Sequence, residues 1–142
     1  MPIHCEIVSQ DKPDLYDDDV DIVILPGKEG VMGILPNHTP LLTVLQFGII
    51  TVRKGGVEEY FTVAGGVAEV QPNQVTILAD AAENVAEIDL DRAERARSRA
   101  EEALKKGVTP NTDAYLKIQS SLRKSTLRID AVRRFRQNPR RR

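Results

Sequence analysis

Tryptophan is absent, cysteine occurs once, at Cys5, and aromatic residues make up only 4% of the 142 residues. A lone cysteine cannot close an internal disulfide. With His4 and His38 as the only histidines, no cysteine–histidine spacing suited to zinc exists, so no metal is expected. Missing too is any apolar run near the roughly 18 residues that a membrane-crossing helix needs. The start, Met1-Pro2-Ile3-His4-Cys5-Glu6, lacks the basic-then-hydrophobic order of a secretory signal. The expectation is a soluble chain on the cytosolic side, without direct membrane insertion. Scarce aromatics leave no stacking platform for nucleic acid.

Net charge is nearly absent as well, at -1, but its distribution is uneven. Residues 1–84 hold 4 Lys/Arg against 13 Asp/Glu, and residues 85–142 hold 16 against 8. Opposed halves of this kind suit mutual docking, or two surfaces for two partners.

What is present is 41% hydrophobic residue in a pattern that changes character near Ala79. Before it, short β-branched runs alternate with turn signals: Ile3 to Ser9, Val20 to Leu25, Gly48 to Lys54, Val57 to Val63, Gly65 to Val70 and Gln74 to Ala79. Lys54-Gly55-Gly56 and Gln71-Pro72-Asn73 read as hairpin turns. Thr51 and Arg53 alternate with Ile50 and Val52, as in a sheet with one packed and one wet face. Evenly spaced short strands predict an antiparallel sandwich or barrel.

Beyond it the spacing becomes helical. Asp89 is a suitable N-cap and Gly107 a left-handed stop, which predicts a helix over 90–106. Its inward face, Leu90, Ala93, Ala96, Ala100 and Ala103/Leu104, is narrow and small. A second helix is predicted from Thr112 or Asp113 to about Arg136, with Tyr115, Ile118, Leu122, Ser125, Ile129 and Val132 on one stripe. The short link makes the two an antiparallel hairpin, held weakly because alanines face a stripe that a serine interrupts. Asn138 to Arg142 is expected to fray.

Gly30-Val31-Met32-Gly33-Ile34-Leu35-Pro36-Asn37-His38-Thr39-Pro40-Leu41-Leu42 invites a test for a phosphate loop, and fails it. Glu29 follows Lys28 where a Walker loop needs Ser or Thr, and Pro36 and Pro40 forbid the helix that should follow. The scaffold reading has the glycines and prolines shaping a turn while Ile34, Leu35, Leu41 and Leu42 plug the sandwich. His38 has no nucleophile or orienting carboxylate in recognisable relation to it, so no catalytic residue is assigned.

Taken together, Gly30-x-x-Gly33-Ile34-Leu35-Pro36-x-His38-x-Pro40-Leu41-Leu42, Ala64-Gly65-Gly66-Val67-x-Glu69-Val70, Val75-Thr76-Ile77-Leu78-Ala79 and the two-helix tail resemble the epsilon subunits of bacterial F-type ATP synthases. The resemblance implies an α+β fold: an antiparallel β-sandwich of about ten strands over residues 1–84, then a regulatory helical hairpin with a basic tail over 85–142. It implies a non-catalytic rotor subunit, peripheral on the cytoplasmic face of the cell membrane. Its sandwich would bind the γ subunit and the c-ring, and its hairpin would regulate the α/β catalytic head by inhibiting ATP hydrolysis. Glu29, Met32 and His38 are the residues that similarity places toward γ and the c-ring.

No cofactor is required by the resemblance, but folded hairpins of some relatives bind ATP. Their pattern Ile/Leu-Asp-x-x-Arg-Ala stands here as Ile88-Asp89-Leu90-Asp91-Arg92-Ala93. Arg99 lies two helical turns beyond Arg92, Glu83 matches an acidic position upstream, and Lys124 and Arg128 match two arginines on the second helix. Lysine at 124 is a departure, because it offers a point charge where arginine offers a fork. The alternative is that the arginines are a solvated helix face paired with nearby carboxylates.

The basic end, including Arg123, Arg133 and Arg134, has two readings. A raised hairpin would bring these arginines to an acidic surface that the resemblance places on the β subunits. Otherwise the chain is a sandwich binding module whose basic helical tail takes nucleic acid or another polyanion.

Overall fold

A computed structural model of the chain describes residues 1–136; the expected frayed end, with Arg140 to Arg142, lies outside them. Eight strands form one continuous sheet: β1 (Ile3–Ser9), β2 (Tyr16–Val20), β3 (Ile22–Gly27), β4 (Gly30–Ile34), β5 (Leu41–Lys54), β6 (Val57–Gln71), β7 (Gln74–Ala79) and β8 (Ala82–Asn84). The order is β2-β1-β7-β6-β5-β3-β4, with β8 paired to β6. Every pairing is antiparallel except β1 with β7, which run parallel.

Sequence chemistry explains the ladder. Ile3, Cys5, Ile7 and Ser9 of β1 are buried while the residues between them are half-exposed, as a period of two requires. Gly55 and Gly56, at φ +58° and +81°, form the two-residue turn between β5 and β6, matching the twist of the flanking strands. These two strands are long because the ribbon turns a corner midway. Leu45 pairs with Gly66 and Phe47 with Ala64, which leaves Gln46 and Gly65 outside the ladder. Gly66 sits at φ +142°, and a Cβ there would lie 2.4 Å from the carbonyl oxygen of Leu78, so only glycine fits. Upstream of the corner β6 pairs with β8, and downstream with β7. Each long strand thereby serves both layers, which is why eight elements appear rather than about ten.

The core of the sandwich gathers Ile3, Cys5 and Ile7 with Val23, Leu25, Ile50, Val52, Phe61, Val63, Val70, Val75 and Ile77, all buried. Three expectations change here. Residues 30–34 are a strand, not only a turn. Ile34 is buried, but Leu35, Leu41 and Leu42 are exposed and do not plug the sandwich; β4 alternation turns Leu35 outward once Ile34 points in. Thr51, expected on a wet face, is nearly buried, since the helical hairpin lies over that part of the sheet.

Helices α1 (Leu90–Lys105) and α2 (Asp113–Ala131) follow a single 3-10 turn at Val85–Glu87, and α2 runs into a π-helical turn at Val132–Arg136. Asp89 Oδ1 accepts from the Arg92 backbone N–H at 3.0 Å, as the sequence predicts, and Thr112 Oγ1 from that of Tyr115 at 3.2 Å, so both starts are capped. Gly107 ends α1 at φ +84°. α1 packs on α2, and α2 makes the main helical contact with β5 and β6. A second small core, Val85, Ile88, Ala131 and Val132 with Ile49, Tyr60, Leu90 and Phe135, joins sheet, 3-10 turn and π turn.

Candidate functional site

A groove of about 820 Å³ runs between the sandwich edge and α2, within the size range of small-molecule sites. Its sandwich wall includes Lys12, Thr62 and Glu83; its helical wall includes Lys117, Ser121, Lys124 and Arg128. The helical residues follow three-and-four spacing, so one α2 face presents cations and hydroxyls together. Across the groove Arg128 meets Glu83 with its fork, Nε to Oε1 at 2.6 Å and Nη2 to Oε2 at 3.2 Å. The Nε contact is close but poorly aligned as a hydrogen bond, so much of the attraction is ionic. Lys12 of the sandwich wall and Lys117 of the helical wall escaped sequence reasoning; for Lys117 the i, i+4, i+7, i+11 placement of residues 117, 121, 124 and 128 was the available signal.

The eight residues assigned to ATP divide. Glu83, Lys124 and Arg128 line the groove. Ile88 and Ala93 are buried and Asp89 caps α1, which are structural tasks. Arg92 and Arg99 are exposed on α1, whose one contribution to the groove is Ala96. The groove therefore holds three charged groups of the set, and the two α1 arginines are outside it.

Among the arginines assigned to the catalytic head, Arg123 lies over the Phe47 ring at 3.9 Å, Arg134 is 5.1 Å from the Phe135 ring, and Arg133 is exposed. Ring contact holds Arg123 against β5 of the sandwich, whereas the ring that Arg134 meets is its own neighbour in the π turn. On the sandwich, Glu29 is exposed in the β3–β4 turn, whereas Met32 packs on the core. His38 is half-buried, with Nδ1 2.8 Å from the Thr39 carbonyl oxygen.

The sandwich also carries an apolar face. Val44 pairs with Val67, Val67 with Leu78 and Leu78 with Val8, forming one cross-strand row, with Leu42 two residues from Val44 on the same side. Leu42 is 69%, Leu78 55% and Val44 54% exposed. A contiguous aliphatic row left to water marks a contact surface. Sequence reasoning read Leu42 as core, since a strand pattern alone does not say which face is covered.

At the far edge of the same face, His4 lies 2.7 Å from Asp19 through Nδ1 and 2.6 Å from Asp17 through Nε2. Its pKa is raised, chiefly by the hydrogen bond to Asp19. His4, Glu6 and Asp17 bring ligand atoms within 4.8 Å of one another, a grouping that sequence spacing did not reveal. Both ring nitrogens are already engaged by carboxylates. Burial pushes the Cys5 thiol up to about 12, so it stays protonated and inert.

Residues 2–85 match the family described as ATP synthase, Delta/Epsilon chain, beta-sandwich domain, and residues 86–133 match ATP synthase, Delta/Epsilon chain, long alpha-helix domain. The ATP synthase epsilon chain of Herpetosiphon aurantiacus is 45% identical over 94% of this chain and 96% of its own length. That of Halalkalibacterium halodurans is 42% identical over 94% of this chain and all of its own length (100%). Among solved structures, a chain of the Euglena gracilis mitochondrial ATP synthase assembly of OSCP, F1 and c-ring superposes with a TM-score of 0.67 at 25% identity, over 90% of this chain and 78% of that one. A chain of the Tetrahymena thermophila mitochondrial ATP synthase central stalk and c-ring gives 0.61 at 18% identity, over 93% and 97%, a likeness of fold alone.

Proposed function

The chain belongs to the ATP synthase delta/epsilon family, and on that premise we propose that it is a non-catalytic rotor subunit, joining γ to the c-ring in the central stalk of an F-type ATP synthase. The carrying observation is the exposed aliphatic row Leu42, Val44, Val67 and Leu78 on the outer sandwich face. Burying such a row against a partner stabilises by about 25 cal/mol per Å² of apolar area. A free-standing nucleic-acid module would have no use for it. Residues 1–84 act as the attachment unit and 85–142 as the regulatory one, with Glu29 and His38 at the margin of the contact. On this reading the chain sits peripherally on the cytoplasmic face of the cell membrane; among the described residues no helix is long and apolar enough to cross one.

Copurification with γ tests this reading. Val44→Glu with Leu78→Glu changes two exposed side chains, so the chain should stay folded by circular dichroism while its recovery with γ falls at least tenfold. Undiminished recovery would remove the assignment of this face.

The hairpin serves as the brake on hydrolysis, with Arg123, Arg133 and Arg134 meeting the β subunits when it rises. ATP is its regulatory ligand, favouring the folded form by binding it better than the raised one. Support comes from the groove, where Lys117, Lys124 and Arg128 converge beside hydroxyls. Calorimetric titration of the chain with ATP should give heat that Arg128→Ala abolishes. Loss of heat in Arg92→Ala too would require α1 to turn Arg92 toward the groove; no heat at millimolar ATP would retire the ligand.

A further inference from the structure

The chain between sheet and α1 is where the hairpin must pivot if it is to leave, and this pivot is gripped by the far end of the hairpin itself. Arg136, in the π turn, places Nη1 2.7 Å from the Ile88 carbonyl oxygen, 3.1 Å from that of Ala86 and 3.3 Å from that of Val85. A one-turn helix cannot satisfy all its own carbonyls, and the two hydrogens of this nitrogen are shared among them. Two turns earlier, Arg128 holds Glu83 through its fork. Phe135 stacks on Tyr60 with ring centroids 4.2 Å apart, and Ile88 lies buried beside Ala131 and Val132. The π turn matters to this geometry, since a wider turn alters which side chains face the sheet relative to a continued α-helix.

We infer that the hinge is self-locking: Arg128 on Glu83 and Arg136 on the carbonyls of Val85, Ala86 and Ile88 hold the pivot rigid until the end of the second helix lets go. Release then begins at the π turn rather than at the hairpin tip. Because the grip is an ion pair plus charge-assisted hydrogen bonds, it needs no nucleotide to form. The inference rests on the reading that the hairpin leaves the sandwich, but the lock itself is measurable without the complex.

Native-state hydrogen exchange on the full free chain tests it. Arg136→Gln and Glu83→Gln should each raise exchange at residues 85–88 and 125–131 about threefold or more, the scale of losing a charged contact, while β5, β6 and β7 amides stay unchanged. Charge reversal in the pair Glu83→Arg with Arg128→Glu should recover much of the protection that Glu83→Arg alone loses. Unchanged exchange in both single variants would overturn the lock. So would equal acceleration throughout the sheet, which would make the two arginines general stabilising contacts. If exchange responds as expected but ATP hydrolysis by a complex carrying Arg136→Gln does not change, the lock stands and the brake falls.

Discussion

His4 shows how a single side chain can tie two strands and make the tie depend on pH. Both ring nitrogens face carboxylates, so the protonated ring donates at each, and its pKa rises above the ordinary value, led by the Asp19 hydrogen bond. A raised folded-state pKa gives stabilisation that is complete below the unfolded value, about 6.5, and that is lost as pH climbs through the folded one. The urea midpoint of the chain should therefore fall on going from pH 6 to pH 9, and His4→Gln should flatten that slope; an equal slope in the variant would place the titration elsewhere. The neighbouring Cys5 behaves oppositely. It is fully buried, and with its pKa at about 12 it should resist alkylation at pH 8 until denaturant is added. Neither pairing could be read from the sequence, because Asp17 and Asp19 lie in a polar stretch with no strand signal; their strand forms because β1 offers a free edge.

The helical hairpin is the element whose stability is most separable from the rest. Its α1 interface is built largely from alanines, with Ala93 and Ala100 buried, which permits close approach but supplies little apolar area. On α2, Ile129 is fully buried, so Ile129→Ala removes about 2–5 kcal/mol. That loss should fall on docking, not on the sheet: α2 amides should lose protection while the thermal midpoint of the sheet moves by only a few degrees. A single cooperative loss of sheet and helices together would show the hairpin to be part of one unit. Both helix starts and the end of α1 were legible in the sequence because Asp89, Thr112 and Gly107 act locally, whereas the second helix, expected to run to about Arg136, gives way to the π turn after Ala131. Positive φ or close backbone approach at Gly65-Gly66 was legible too, and both glycines have it; the parallel β1–β7 pairing was not, since it joins strands far apart in the chain. The α2 face of the groove was half legible: Lys124 and Arg128 came through resemblance, whereas Lys117 needed the helix built.

At the scale of the whole molecule, an acidic sandwich carries a basic hairpin, and the sandwich core draws its residues from no further along the chain than Ala82. The hairpin adds cover over Ile49 and Tyr60 without entering that core. Removing residues 87–142 should therefore leave a folded sandwich that still displays Leu42, Val44 and Leu78 and still assembles with γ. Opposite charge on the two parts draws them together over distances comparable with the screening length, about 10 Å at 0.1 M salt. Raising salt should loosen the hairpin of the full chain, seen as faster exchange in α2, with no effect on the sheet. In the assembled enzyme these properties converge on one measurement. A complex carrying the shortened chain should keep its composition and hydrolyse ATP faster than one carrying the full chain, because the brake has gone while the attachment remains. Equal rates would leave the hairpin docked and silent in the working enzyme, and failure to assemble would mean that it contributes to attachment, contrary to the division drawn from the two cores.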